Sequence, residues 1–115
     1  VRYAVLIFDR PGAYDDLSAG ELDRVMGEYF ALAHDSRCVG GAQLQGIETA
    51  TRVRVSDGEM LTTDGPFGQS KEVFGGFYRL DVTDRQEALE FAAGIPAARL
   101  GGSVEVRAVA HVGGE

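Results

Sequence analysis

At 115 residues, 44% apolar and 25% charged, the chain has the length and composition of one globular domain with a small core. A formal charge of -7, with eleven scattered Lys and Arg, argues against nucleic acid or an anionic membrane as the main partner, since either would be repelled over most of the surface. No apolar run nears the ~20 residues that span a bilayer, and one cysteine with no signal-like opening segment makes the cytoplasm the expected compartment.

In chain order, Arg2 to Phe8 reads as a short strand with both faces apolar, Tyr3, Val5 and Ile7 on one side and Ala4, Leu6 and Phe8 on the other. Asp9 to Asp16, with Pro11-Gly12, reads as a loop. Ser18-Ala19-Gly20-Glu21 has the form of a capping box. Leu22, Val25, Met26, Tyr29, Phe30 and Ala33 follow at helical spacing, so a helix is expected to about His34 or Ser36. Arg37 to Leu44 is a second strand, interrupted by Gly40-Gly41 as at a bulge or a close backbone approach. Cys38, beside Val39 at the strand start, reads as a small buried apolar residue.

Thr49 to Val55 alternates as a third strand, Asp57-Gly58 marks a hairpin tip, and Met60 to Thr63 returns as the second arm. After the stretch Thr63-Asp64-Gly65-Pro66-Phe67-Gly68-Gln69-Ser70-Lys71-Glu72, Phe74 to Val82 is another strand. Thr83-Asp84-Arg85-Gln86 repeats the capping logic before a second helix, with Ala88, Leu89, Phe91, Ala92 and Ile95 as its stripe and Gly94 and Pro96 as its stop. Ala97 to Leu100 reads as one further helical turn, and Ser103 to Val109 as the last strand. The closing residues 111–115 read as a frayed tail outside a single domain, residues 1–110.

Apart from the hairpin, this order is the split βαβ pattern of ferredoxin-like α+β folds, an antiparallel sheet with two helices on one face. The helices cover one face only, so the doubly apolar first strand calls for a second copy of the chain against the other. Two sheets face to face would make a dimeric barrel.

The blocks Asp64-Gly65-Pro66-Phe67, Lys71-Glu72, Gly75-Gly76-Phe77-Tyr78 and Gly102-Ser103-Val104-Glu105-Val106-Arg107, in that order, resemble the DGPF family of YCII-related proteins. The opening Arg2-Tyr3 strand and Gly40-Gly41-Ala42-Gln43-Leu44-Gln45 fit the same pattern. The resemblance implies a homodimeric α+β barrel. It also implies unassigned activity for most members, association of some with extracytoplasmic-function sigma factors, and a relative that eliminates chloride from a chlorinated hydroxyquinol without a cofactor. Several relatives pair a helix-1 His with an Asp, and by helix register that His position falls on Tyr29.

Asp64 is the first candidate for chemistry, because a strand end followed by a rigid Gly-Pro fixes the direction of its carboxylate, as proton transfer requires. The competing reading is an Asx turn in which it accepts from its own backbone. Tyr29 is the second candidate: on the apolar face of helix 1 it reads either as plain core or as a hydroxyl that reaches a pocket near Asp64 and donates to a ligand. Gly65, Pro66, Phe67 and Lys71 are the expected substrate contacts, with Phe67 and Phe74 as walls or as dimer core. Gly75-Gly76 reads as a place where backbone bends or approaches another chain. His34 and His111 lack ligand-spaced companions for a metal, and no cofactor is expected. Two functions remain open: a small-molecule-binding protein with lyase or isomerase chemistry, and an accessory module working with a sigma factor.

Overall fold

A computed structural model describes residues 1–65 and 71–110. Eight principal elements follow one another: β1 (Arg2–Asp9), α1 (Ala19–Ala33), β2 (Cys38–Gln43), β3 (Thr51–Ser56), β4 (Glu59–Asp64), β5 (Val73–Asp81), α2 (Arg85–Ala93) and β6 (Ser103–Ala108). Two 3-10 turns, Ile47–Thr49 and Pro96–Ala98, stand before β3 and after α2. The main sheet is antiparallel in the order β2-β5-β1-β6, and β3 and β4 form a separate two-stranded sheet. Placing β5 between the parallel β1 and β2 gives the split βαβ arrangement.

Local chemistry fixes the helix starts. The Ser18 hydroxyl accepts from the Glu21 N–H and the Glu21 carboxylate accepts from the Ser18 N–H, so the capping box forms as expected. On α2 the cap moves one residue along. Asp84, rather than Thr83, accepts from the Glu87 N–H at 2.9 Å, and the Glu87 carboxylate reaches back to Thr83. Aspartate caps at least as well as threonine, and its charge suits a helix N-terminus.

The core lies between the sheet and α2. Val5, Leu80, Ala88 and Ile95 are completely buried, Phe91 nearly so, and the Tyr78 ring meets Phe91 edge-on at 5.7 Å. Ile95 leaves the helical stripe and serves as the residue before the Pro96–Ala98 turn, still inside the core. Arg37 extends over the Phe91 ring, its guanidinium 5.3 Å from the ring centre, while Asp35 holds the same group through two side-chain bonds at 2.9 Å.

α1 behaves differently from its sequence pattern. Of its apolar stripe only Val25 is fully buried, and Phe30 is 67% exposed. The reason is what lies beneath: β2 is Cys38-Val39-Gly40-Gly41-Ala42-Gln43, which offers little side chain to fill the space under the helix. A gap stays open there. On the opposite face of the sheet, Ala4, Leu6, Phe8 and Phe77 are only half-buried.

The β3–β4 hairpin turns through Asp57 and Gly58, with φ of 51° and 78°, as a two-residue primed turn requires. Every residue of β3 and β4 is exposed. The chain is correspondingly open: its Cα radius of gyration is 16.2 Å, against about 13 Å for a compact domain of this length.

Candidate functional site

The space beneath α1 is an open cavity of about 920 Å³, walled by the end of β1, α1, β2 and the start of β5. Met26, Phe30, Ile47 and Phe74 make it apolar, and the Gly40-Gly41 and Gly75-Gly76 pairs give it a floor of bare backbone. Polar side chains gather where β1 leaves the sheet.

There the Tyr14 hydroxyl donates to Asp9 Oδ1 at 2.6 Å, and the Tyr14 and Tyr29 hydroxyls are 2.9 Å apart. A carboxylate only accepts, and Tyr14 has a single proton already committed to it. Tyr29 therefore donates to Tyr14, and the chain runs Tyr29 to Tyr14 to Asp9. Tyr29 is fixed from behind, since the Tyr78 hydroxyl donates to its backbone carbonyl at 3.0 Å. Arg99 adds a brace by pairing with the neighbouring Glu28 at 2.7 Å, which ties α1 to the turn after α2.

Asp9 is aimed by a register shift. Ile7 pairs with Gly76 but Phe8 pairs with Phe74, so Gly75 is the extra residue of a β-bulge. A Cβ on Gly75 would collide with Asp9 Oδ2, so only glycine lets the carboxylate lie against β5. Gly76 is equally constrained, because a Cβ there would come within 2.7 Å of the Ala42 carbonyl on β2. Thus Asp9 has one oxygen held by Tyr14 and the other resting over Gly75, with both residues lining the cavity.

The phenols stay protonated. Burial first, then the bond to Asp9, drives the Tyr14 phenol far above its ordinary range. Burial also raises Tyr29, with the Ala97 backbone N–H only partly offsetting it. Tyr78 is pushed up to about 12 by burial. At neutral pH these phenols are hydroxyls that donate and relay.

Each expected site residue has a definite place, except Pro66 and Phe67, which lie outside the described residues, as does His111. Tyr29 lines the cavity, and so does Phe74, whose ring meets Phe8 at 5.5 Å. Asp64 is exposed at the base of the hairpin, where its Oδ1 accepts from the Thr51 hydroxyl at 3.0 Å; it is not among the cavity residues. The Gly65 N–H donates to the Ala50 carbonyl at 2.6 Å, and Lys71 is exposed. Cys38 is half-buried at the cavity wall, its thiol donating to the Gly40 carbonyl at 3.4 Å. His34 caps α1, its ring stacked on Phe30 and its Nδ1 2.9 Å from the Phe30 carbonyl. Among the described residues no group of three or more His, Cys, Asp or Glu is placed to hold a metal, and no helix is long and apolar enough to cross a membrane.

Sequence reading missed Asp9 and Tyr14, having assigned residues 9 to 16 only to a loop. The available signal was Asp9-Arg10-Pro11-Gly12, a carboxylate ending a central strand before a rigid turn, which is the logic applied to Asp64.

Comparison with known proteins adds three findings. The sequence profile of the YCII-related domain matches residues 1–112. An uncharacterized protein of Rhizobium meliloti (strain 1021) is 35% identical over 113 residues, spanning 94% of this chain and 91% of the relative. Among solved structures, a 5-chloro-2-hydroxyhydroquinone dehydrochlorinase from Burkholderia phenoliruptrix AC1100, in complex with 2,5-dihydroxybenzoquinone, superposes with a TM-score of 0.57. It is 16% identical to this chain, with 97% of this chain and 96% of that one covered, a likeness of fold.

Proposed function

The chain belongs to the family of YCII-related domains, and from that premise we propose that it is a homodimeric small-molecule-binding protein with acid–base chemistry of the lyase or isomerase kind. The observation that carries this reading is the hydrogen-bonded chain Tyr29–Tyr14–Asp9 at one end of an apolar cavity. Asp9 Oδ2 is the proton acceptor, Tyr14 holds the carboxylate in place, and Tyr29 supplies the proton that keeps Tyr14 donating. The cavity is apolar except at this hydrogen-bonded end, where the carboxylate accepts and the phenols donate. The substrate class is therefore a small, flat molecule with an apolar body and an acidic hydroxyl, or a C–H activated by an adjacent carbonyl. The quinone bound to the structural neighbour has that chemistry and serves as a probe. The half-buried apolar face of the sheet supports the homodimer.

The test is calorimetric titration of the purified protein with 2,5-dihydroxybenzoquinone and related hydroxyquinones and phenols. Binding that weakens about 10- to 100-fold in Asp9→Asn, as loss of a hydrogen bond to a charged group would give, supports the proposal. Equal affinity in wild type and Asp9→Asn overturns the role of Asp9. Failure of the whole panel, together with a protein that co-purifies at fixed stoichiometry, would favour the accessory module. Asp64 enters the same series: loss of binding in Asp64→Asn alone would move the acid–base role to the hairpin.

A further inference from the structure

Eight of the ten exposed large hydrophobic residues described fall into two patches. One is the cavity mouth, with Met26, Phe30, Leu44 and Phe74, from 36% to 67% exposed. The other is the hairpin, with Val53, Val55, Met60 and Leu61, from 49% to 73% exposed. In the hairpin register Val55 stands opposite Met60, Val53 opposite Thr62 and Thr51 opposite Asp64. Cross-strand partners share a face, so Val53, Val55 and Met60 form one apolar side with Asp64 at its base. Arg54 and Leu61 belong to the other side.

A lone two-stranded hairpin is marginal in water, and unpaired apolar strands invite association. The molecule also exposes too much surface for a finished monomer. Its accessible area is 7808 Å², whereas a folded monomer of this mass shows about 6,100 Å². The excess of roughly 1,700 Å² is what one protomer buries in a large, obligate homodimer interface.

We propose that the hairpin is an arm that reaches a second copy of this chain, laying Val53, Val55 and Met60 over that copy's cavity mouth at Met26, Phe30, Leu44 and Phe74. A two-fold axis makes the contact twice, each copy closing the other's cavity. Six residues of strand span about 20 Å, long enough to cross such a mouth. The cavity is then completed only in the dimer, and its outer wall is supplied by the partner. The inference rests on the proposed function only in treating that cavity as the ligand site.

Cysteine cross-linking tests the arm without any ligand. In a Cys38→Ala background, full-length chains carrying only Met60→Cys are co-expressed with chains carrying only Phe30→Cys, and oxidised mildly. The expected result is a disulfide joining one chain of each kind, absent from either variant alone. A disulfide within single chains of the double variant, with none in the mixture, would place the hairpin over its own cavity and overturn the proposal. No disulfide in either sample would overturn it as well. The cross-link can form in a protein that binds no hydroxyquinone, and can fail in one that does, so the two proposals stand or fall separately.

Discussion

Asp9 and Asp64 occupy matching local settings: each ends a strand, and each is followed in the sequence by proline and glycine. Their surroundings differ completely. Asp9 ends β1, which is paired on both sides by β5 and β6, and its carboxylate is held by Tyr14 against the β5 bulge. Asp64 ends an exposed two-stranded sheet and meets a threonine hydroxyl. A turn can fix the direction of a carboxylate, but only a packed sheet fixes where that direction leads. Within one chain, the first carboxylate has a cavity in front of it and the second has solvent.

The largest predicted effect comes from removing the support beneath the first region. Phe91→Ala deletes a ring shared by Tyr78, Arg37 and the core, and a loss of about 3–5 kcal/mol is expected in denaturant unfolding. A far smaller loss would mean that α2 does not carry the sheet that positions Asp9. Gly75→Ala is expected to act locally, because its methyl group displaces Asp9 Oδ2. Hydroxyquinone binding should fall at least about 10-fold while most of the stability remains, the signature of a misplaced catalytic group. Tyr14→Phe leaves Asp9 without its donor and breaks the relay, at a cost of about 1–3 kcal/mol for a hydrogen bond to a charged group.

Within the first region, two sets of groups respond to pH with opposite sign. Tyr14, Tyr29 and Tyr78 all have folded-state pKa values raised above 10.0, so the folded state holds these protons more tightly than the unfolded state does. Their contribution is complete below that value and is lost as pH rises toward the folded-state values, about 12 for Tyr78. Phenolate absorbance should therefore rise late and together with unfolding. Asp35 runs the other way: the Arg37 guanidinium lowers it to about 2, so its contribution holds above 3.8 and fades as pH falls toward 2. The smallest effect expected is on the hairpin, where Asp64→Asn should change stability by less than about 0.5 kcal/mol, as for other exposed sites.

What the sequence disclosed divides along the same line. The Ser18 capping box and the Asp57-Gly58 hairpin are short-range features that residue type nearly determines, and the bulge expected at Gly40-Gly41 falls one residue earlier, at Val39. The strand and helix order was legible because apolar periodicity reports burial. The candidate site was legible only in part: Tyr29 and the Gly75-Gly76 bend could be read, but Asp9, Tyr14, Tyr29 and Gly75 are spread over 67 positions and meet only through the β1–β5 register. The α1 stripe misled for a related reason. Periodicity marked Met26 and Phe30 as covered, but it does not say whether they face packed core or an open cavity.

The most direct test is amide chemical-shift mapping of the protein titrated with 2,5-dihydroxybenzoquinone. Saturable shifts concentrated at Asp9, Tyr14, Gly41, Gly75 and Gly76, and abolished in Asp9→Asn, are the predicted result. Shifts confined to Asp64, Gly65 and their neighbours, and unchanged by Asp9→Asn, would contradict the account and return the chemistry to the hairpin.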